Sequence, residues 1–532
     1  MTLIFIIYLI VMCLAACTLA SELKRDLMMM QQNSYRIDRY RRWLGSSGDS
    51  TSWARLSGMC VFFAAMATFS APDWAMGIIA AWAGGNLYYL TSRKYKKPLV
   101  WTPRTKRIFS VAWILSIIVV SLAVVFYGND ALSRCFAGSV ALTGLYCMSH
   151  FIIIASVWLL TPVEKSINNG YYRDAERILK SMPGLKIIGI TGSYGKTSTK
   201  HYLHRILSEC FQTTMTPGSF NTTLGVIRTV REHLKPYDQV FIVEMGAKQP
   251  GDIKEICDLV HPQIGIVTAV GEQHLESFKT VENVQRTKFE LVDSLPADGL
   301  AIVNNDFPKI ADRSVDNVDC IRYTVGEDDR ASAWRATDIE YTEKGTSFTV
   351  IGPDTNIRLT TRLVGECNIS NLLACIIVAV KLGVPVEKIR YAVSRIEQVE
   401  HRLNLKQTPA GITIIDDAFN SNPTGSAMAL DVLSRMKGGK RIVITPGMIE
   451  LGDRTETLNR EFGLKMASCA DIAIVVGHYN RDAIVGGLKE GAMPEDAIVI
   501  ADSFAHAQQL LQGIVKAGDT VLYENDLPDT FK

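Results

Sequence analysis

Lys186-Ile187-Ile188-Gly189-Ile190-Thr191-Gly192-Ser193-Tyr194-Gly195-Lys196-Thr197-Ser198-Thr199 decides the class of fold. Its first residues form a short apolar run suited to a strand buried in a parallel sheet. A glycine turn follows, and a helical stretch continues to about Cys210. Strand, glycine turn and helix make an architecture that cradles phosphate. Glycines let backbone N–H groups approach the oxygens, and the helix N-terminus favours an anion. In such a loop Lys196 meets the β- and γ-phosphates, and the Thr197 hydroxyl reaches magnesium. Gly189 stands one residue too far from Gly195-Lys196 for the common phosphate-loop pattern, so the shorter Thr-Gly-x-x-Gly-Lys-Thr form applies. The bland alternative, a glycine-rich turn with an incidental lysine, suits so clean a strand poorly.

Two strands further along end in a carboxylate and an imidazole. Residues 239–243 are apolar and run into Glu244-Met245-Gly246-Ala247. Residues 264–270 lead to Gly271-Glu272-Gln273-His274-Leu275-Glu276. A carboxylate at the C-terminal end of a strand sits where α/β sheets bind ligands. A lone histidine is more often structural, but Glu244 and His274 at two strand ends beside a phosphate loop favour a site.

The chain has 532 residues, enough for three or four domains at roughly 150 residues each. A net charge of +2 with 21% charged residues implies no global electrostatic partner, and nothing points to nucleic acid. The 11 cysteines show no Cys-x-x-Cys pair or metal-ligand spacing, which favours buried thiols in a reducing compartment.

Long apolar runs crowd the first 160 residues. Segments 3–20, 54–70, 75–91, 108–127 and 136–160 are each near the ~20 residues needed to span a bilayer. The second and third are short and joined by Ala71-Pro72-Asp73-Trp74, as in a tight hairpin; a buried soluble hairpin is the alternative. Lys24, Arg25, Arg36, Arg39, Arg41 and Arg42 fall between the first two segments. Arg93, Lys94, Lys96, Lys97, Arg104, Lys106 and Arg107 fall between the third and fourth. The positive-inside rule makes both loops cytoplasmic, which puts the N-terminus outside and everything after Leu160 inside, with ATP. Leu14-Ala15-Ala16-Cys17 resembles a lipoprotein cleavage box, yet no lysine or arginine precedes the segment as a signal peptide requires.

Residues 191–199, Glu244-Met245-Gly246-Ala247, His274-Leu275-Glu276 and Lys288 in Arg286-Thr287-Lys288-Phe289-Glu290 together resemble the central domain of the Mur ligases. The D-alanyl-D-alanine-adding, MurF-like branch is the best match. The resemblance implies that Gly192, Ser193, Tyr194, Gly195, Lys196, Thr197 and Ser198 hold ATP. It implies that Thr197 and Glu244 share one Mg2+ and that His274 binds a second. It also allows Lys288 to be carbamylated into a carboxylate-like ligand; unmodified, Lys288 is a surface or salt-bridge residue. Gly365-Glu366-Cys367-Asn368-Ile369-Ser370-Asn371, ahead of a helix over 372–382, is similar to the adenine-side motif, with Asn368 and Asn371 in the i, i+3 relation. The family usually has histidine where Cys367 stands. Arg402 in Glu400-His401-Arg402-Leu403 matches an arginine aimed at the γ-phosphate. Asp416-Asp417-Ala418-Phe419-Asn420-Ser421-Asn422-Pro423 matches a motif in which Asp417 would hold the ribose. Thr445-Pro446-Gly447-Met448-Ile449-Glu450-Leu451-Gly452 resembles the glycine loop near the amino-substrate site.

The expected architecture is α/β: transmembrane helices in 1–160, a linker over 161–184, a central phosphate-loop domain in 185–399 and a Rossmann-like C-terminal domain in 400–532. The resemblance implies an ATP- and Mg2+-dependent ligase that joins a carboxylate acceptor to an amino acid or dipeptide amine through an acyl phosphate, with Lys196, Glu244, His274, Lys288 and Arg402 as catalytic residues. Peptidoglycan precursor synthesis is its expected setting and a cell membrane, with the catalytic domains cytoplasmic, its expected place. Two departures matter. The small domain that grips the substrate's uridine diphosphate is replaced by the membrane segments. After Val521-Leu522 the family commonly reads Lys-Gly-Ser, whereas this chain reads Tyr523-Glu524-Asn525-Asp526-Leu527-Pro528-Asp529. A lipid-linked or otherwise membrane-proximal acceptor is therefore the alternative. An ATP-driven transporter or sensor is the rival of another class, but no Leu-Ser-Gly-Gly run supports it.

Overall fold

The computed structural model describes residues 2–68, 71–93, 95, 97–326, 332–342, 345–419 and 421–526. Ser70, Lys94, Lys96, Asn420 and Leu527-Pro528-Asp529, all named above, lie outside them. Two compact units are present, Met1–Asn168 and Asn169–Asp526.

The first unit is all helix: α1 (Thr2–Gln32), α2 (Ile37–Ser46), α3 (Trp53–Ala67), α4 (Pro72–Ser92), α5 (Pro103–Tyr127), α6 (Ala131–Cys147) and α7, whose range Ser149–Lys180 runs on into the second unit. α1, α5 and α7 are long and apolar enough to cross a membrane. Ile6, Ile10, Phe63, Ile117, Leu122 and Phe126 stand exposed on the outside of the bundle, while Glu22, Asp26, Asp49 and Arg55 are buried inside it. This is the reverse of a water-soluble helix bundle.

α1 runs well past the expected end at Ala20, with Glu22 and Asp26 buried in it. Pairing explains the extension. Arg55, itself 2% exposed, donates to Glu22 at 2.6 Å, Asp26 at 3.0 Å and Ser149 Oγ at 2.9 Å. Arg25 pairs with Glu22 and Asp49, and His150 Nδ1 meets Tyr40 Oη at 2.8 Å. Arg25 is thus no loop cation. Arg55→Ala would leave two buried carboxylates short of a cation, and a loss of ~3–5 kcal/mol is expected. Thermal unfolding of the detergent-solubilised full chain against wild type checks it.

The expected single helix over 136–160 is two helices, broken at Met148, whose φ of −102° and ψ of 10° end α6. At its start, Ser149 and His150 are bound to Asp26. Fifteen residues on, Glu164 accepts from Arg107 at 2.7 and 2.9 Å, at the N-terminal end of α5. That end lies beside the end of α1, where Gln31 exchanges hydrogen bonds with Val100 at 3.0 Å. A helical stretch of ~22 Å held at both ends to one end of the bundle lies across it. The apolar run from 136 to 160 is thus divided between α6 and α7.

The second unit holds two sheets. The first contains β1 (Lys186–Thr191), β2 (Thr213–Met215), β3 (Val240–Glu244), β4 (Ile264–Val267), β5 (Leu300–Asn304), β6 (Asp319–Val325), β7 (Trp334–Thr342), β8 (Gly345–Gly352) and β9 (Thr355–Thr361), in the order β2-β3-β1-β4-β5-β6-β7-β8-β9. Pairing is parallel from β2 to β7 and antiparallel from β7 to β9. Ile188, Ile190, Ile242 and Ile266 are fully buried, each worth ~1.5–3 kcal/mol. Helix Glu366–Lys381 covers one face of this sheet and is buried on all sides from Asn368 to Ala379. It begins at Glu366, not Leu372, so the Asn368–Asn371 motif lies inside it.

The second sheet contains β10 (Asn404–Gln407), β11 (Thr413–Asp417), β12 (Arg441–Thr445), β13 (Ile472–Val476), β14 (Ile498–Ala501) and β15 (Thr520–Glu524), in the order β10-β11-β15-β12-β13-β14. β10 is antiparallel and the rest are parallel. This is the α/β architecture expected. The register places Asp417 opposite Glu524, at the C-terminal ends of β11 and β15 where such sheets bind ligands.

Candidate active site

The phosphate loop links β1 to helix Lys196–Leu207. Gly192 has φ 152°, and a Cβ there would lie 2.1 Å from Thr268 Oγ1; Gly195, at φ 80°, would place one 2.5 Å from Asn371 Oδ1. Packing as well as phosphate approach requires glycine at both. Ser193 N donates to Ala269 O at 2.7 Å, and Ser193 Oγ donates to Gly271 O at 3.2 Å, which ties the loop to the end of β4. Lys196 Nζ donates to Gly192 O at 2.7 Å and Ser193 O at 3.3 Å, folded onto its own loop. Burial, assisted by Arg402 and opposed by Glu244, pulls its amine down to about 8.

Thr197 Oγ1 donates to Glu244 Oε1 at 3.1 Å, and Asn221 Nδ2 donates to the same oxygen at 3.0 Å. Lys200 Nζ lies 3.0 Å from Glu244 Oε2, both residues buried. Burial pushes the Glu244 carboxyl up, but Lys200 and Lys196 outweigh it and hold it below the usual range. A hydroxyl and a carboxylate oxygen side by side are hard donors of the kind Mg2+ takes, so this pair fits the ion. His274 sits at φ 53°, and its Nδ1 is bonded to Glu450 Oε2. A carboxylate on one ring nitrogen orients the other toward a ligand. Burial lowers the imidazole pKa although Glu450 opposes it. Glu276 N donates to Glu450 O at 3.2 Å, and Arg454 pairs with Glu272.

Lys288, in helix Val281–Asp293, is 1% exposed and has no ion pair among the described residues. It is neither a surface nor a salt-bridge residue. Burial first, then the charge of Lys196, holds its amine well below the usual lysine range. A buried neutral amine is the form that adds carbon dioxide.

One pocket brings together Tyr194, Gly195, Ser198, Asn371, Arg402 and Asp417. Tyr194 meets Phe307 edge-on, with ring centroids 5.4 Å apart, to give an apolar wall. Asn368 also lines the pocket, but its amide is already used: Tyr202 Oη donates to its Oδ1 and its Nδ2 donates to Val364 O, both at 2.8 Å. It therefore braces the helix start. Arg402 lies 4.4 Å over the Phe419 ring and lines a second, larger groove with Thr197 and Ser219. Burial raises the Asp417 carboxyl to about 6 against the pull of Arg402. Sequence reading missed Lys200 and Asn221, and it placed Glu450 in the glycine loop without its partner His274. Lys200 follows Lys196 at the helical i, i+4 spacing, a signal that was available; the partnership of Glu450 with His274, 176 residues apart, gave none.

The pattern of a Mur ligase middle domain matches residues 190–379, and that of a Mur ligase glutamate ligase domain matches 401–523. The UDP-N-acetylmuramoyl-tripeptide–D-alanyl-D-alanine ligase of Escherichia coli (strain K12) is 30% identical over 63% of this chain and 74% of its own length. The chain belongs to the Mur ligase family. Its Bacillus subtilis (strain 168) relative of the same name is 28% identical over 64% of this chain and 73% of that protein. A crystal structure of MurF from Acinetobacter baumannii superposes with a TM-score of 0.61 at 25% identity, over 67% of this chain and 77% of that one. As a Mur ligase the protein is an ATP-dependent enzyme that forms an amide bond. Mur ligases in general use ATP and Mg2+, and both matched regions lie within the second unit.

Proposed function

We propose that this Mur ligase is held in a membrane and joins a muramoyl-peptide carboxylate to the amine of a D-alanyl-D-alanine-type dipeptide, in peptidoglycan precursor synthesis. Residues 185–399 serve as the ATP-binding domain and 400–532 as the Rossmann-like C-terminal domain. The observation that carries this reading is that Arg402 lines both the pocket of the phosphate-loop residues Tyr194, Gly195 and Ser198 and the groove of Thr197, whose hydroxyl is bonded to Glu244. Magnesium, held by Thr197 and Glu244 with His274 and carbamylated Lys288 at a second position, would neutralise phosphate charge. Lys196 leaves its loop carbonyls for the β- and γ-phosphates, and Arg402 steadies the γ-phosphoryl group as it passes from ATP to a carboxylate oxygen, with ADP as the leaving group. The amine nitrogen then attacks the acyl carbon, phosphate leaves, and the nitrogen sheds its proton. These residues position and neutralise; none forms a covalent bond to substrate.

The membrane part of the proposal rests on the outward apolar faces of the bundle. α1, α3, α4, α5 and α6 make five passes, and α7 lies in the plane of the surface. Phe151, Trp158, Leu159 and Val163 are exposed along α7, the composition of an interfacial helix. Recruitment of anionic head groups by the basic loops has fewer charges to draw on than the sequence suggests. Arg25 is consumed by Glu22 and Asp49, and Arg104 and Arg107 face Glu164.

A lipid-linked acceptor is favoured by one observation: a helical bundle precedes the first matched residue, Ile190. Full-length protein in nanodiscs, given ATP, Mg2+ and D-alanyl-D-alanine, is expected to release phosphate and amide product with a muramoyl-tripeptide acceptor. Phosphate without amide from either the UDP-linked or the lipid-linked acceptor would refute the ligase reading. A fragment starting at Asn169 separates the acceptors: equal turnover of the UDP-linked acceptor by fragment and full chain would end the recruiting role of the helices.

A further inference from the structure

Glu524 closes β15 and is fully buried, at the position where the family commonly has the glycine of Lys-Gly-Ser. Its Oε1 accepts from Ser421 Oγ at 2.7 Å and Ser426 Oγ at 2.8 Å. Its Oε2 is buried and has no hydrogen-bond partner among the described residues. Glu524 lines the pocket that also holds Asp417, Asn371 and Tyr194, and it stands opposite Asp417 across the β11–β15 ladder. A buried polar atom without a partner is costly, and this one borders the hollow where a ligand would supply a partner. Two carboxyls, Asp417 and Glu524, line the hollow here, which disfavours a phosphate beside them.

We infer that Glu524 is a specificity-determining residue whose Oε2 hydrogen-bonds the ribose hydroxyls of the bound nucleotide beside Asp417. Burial and the neighbouring Asp417 push the Glu524 carboxyl well above the usual range. A proton on Oε2, the oxygen without a partner among the described residues, makes the side chain an O–H donor to the sugar. Glutamine keeps a donor in that place; alanine removes it.

The inference rests on the nucleotide reading of the pocket, and the test separates the two. Full-length wild type, Glu524→Ala and Glu524→Gln are compared for binding of ATP, 2′-deoxy-ATP and 3′-deoxy-ATP by calorimetry. Wild type is expected to bind at least one deoxy nucleotide about fivefold or more weakly than ATP, the worth of one hydrogen bond. Glu524→Ala should lose that preference, and Glu524→Gln should keep it. Should the alanine variant fail to fold, Glu524→Leu, which keeps the bulk, replaces it. An unchanged preference in the donor-free variant overturns the inference alone, as does a raised KM for the amine substrate with nucleotide preference intact. Wild type that binds no ATP overturns the nucleotide reading and this inference together.

Discussion

Lys196→Ala is expected to abolish ATP-dependent ligation, a loss of about 10³-fold or more, in a protein that still folds. In wild type the ammonium is stored against Gly192 O and Ser193 O, so it is already within the loop that would receive the phosphates. Truncation removes the one flexible cation of that loop, and two carbonyls lose a donor at a cost of ~1 kcal/mol each. Thermal unfolding should therefore shift little while phosphate release falls to background. Lys196→Arg should not rescue, because a rigid planar fork cannot occupy the turn that Gly192 and Gly195 keep clear. Ligation by Lys196→Ala at near wild-type rate would remove the phosphate-loop assignment.

Lys288→Ala should lose activity about 10²-fold or more, yet its fold should be as stable as wild type or more so. The side chain is a buried amine with no ion pair among the described residues, and such an amine is costly unless modified. If carbamylation supplies the metal-side oxygen, millimolar acetate or formate should restore part of the lost rate by occupying the space left. Glu244→Gln, which keeps shape but removes charge, should raise the Mg2+ requirement without responding to carboxylate. Its stability should fall as well, because Lys200 loses its buried partner. Unchanged rate and Mg2+ dependence in Lys288→Ala would make Lys288 a bystander.

The parallel strands, the phosphate loop and the order of the motifs were legible because each is written in consecutive residues. β1, β3 and β4 appear within a residue or a few of their apolar runs, as buried strands between turn signals should. What stayed hidden depends on pairing across the chain. Glu22 and Asp26 follow the apolar segment, and Arg55, 33 and 29 residues away, with Arg25, Ser149 and His150, makes them compatible with a continuing helix. The break at Met148 carries no proline or glycine, so the apolar run from 136 to 160 reads as one helix until Asp26 fixes Ser149 and His150. Asn368 and Asn371 look equivalent by spacing, but Tyr202 claims one and the Gly195 contact positions the other.

The links from His274 to Glu450 and from Arg454 to Glu272 join loops of the two sheets. A cleft whose jaws are already latched spends less of a ligand's interaction energy on ordering them. Entry of a nucleotide or release of a product that parts these loops must break both links. Turnover would then be limited by unlatching rather than by bond making, so an enzyme with a weakened latch could gain speed while losing affinity.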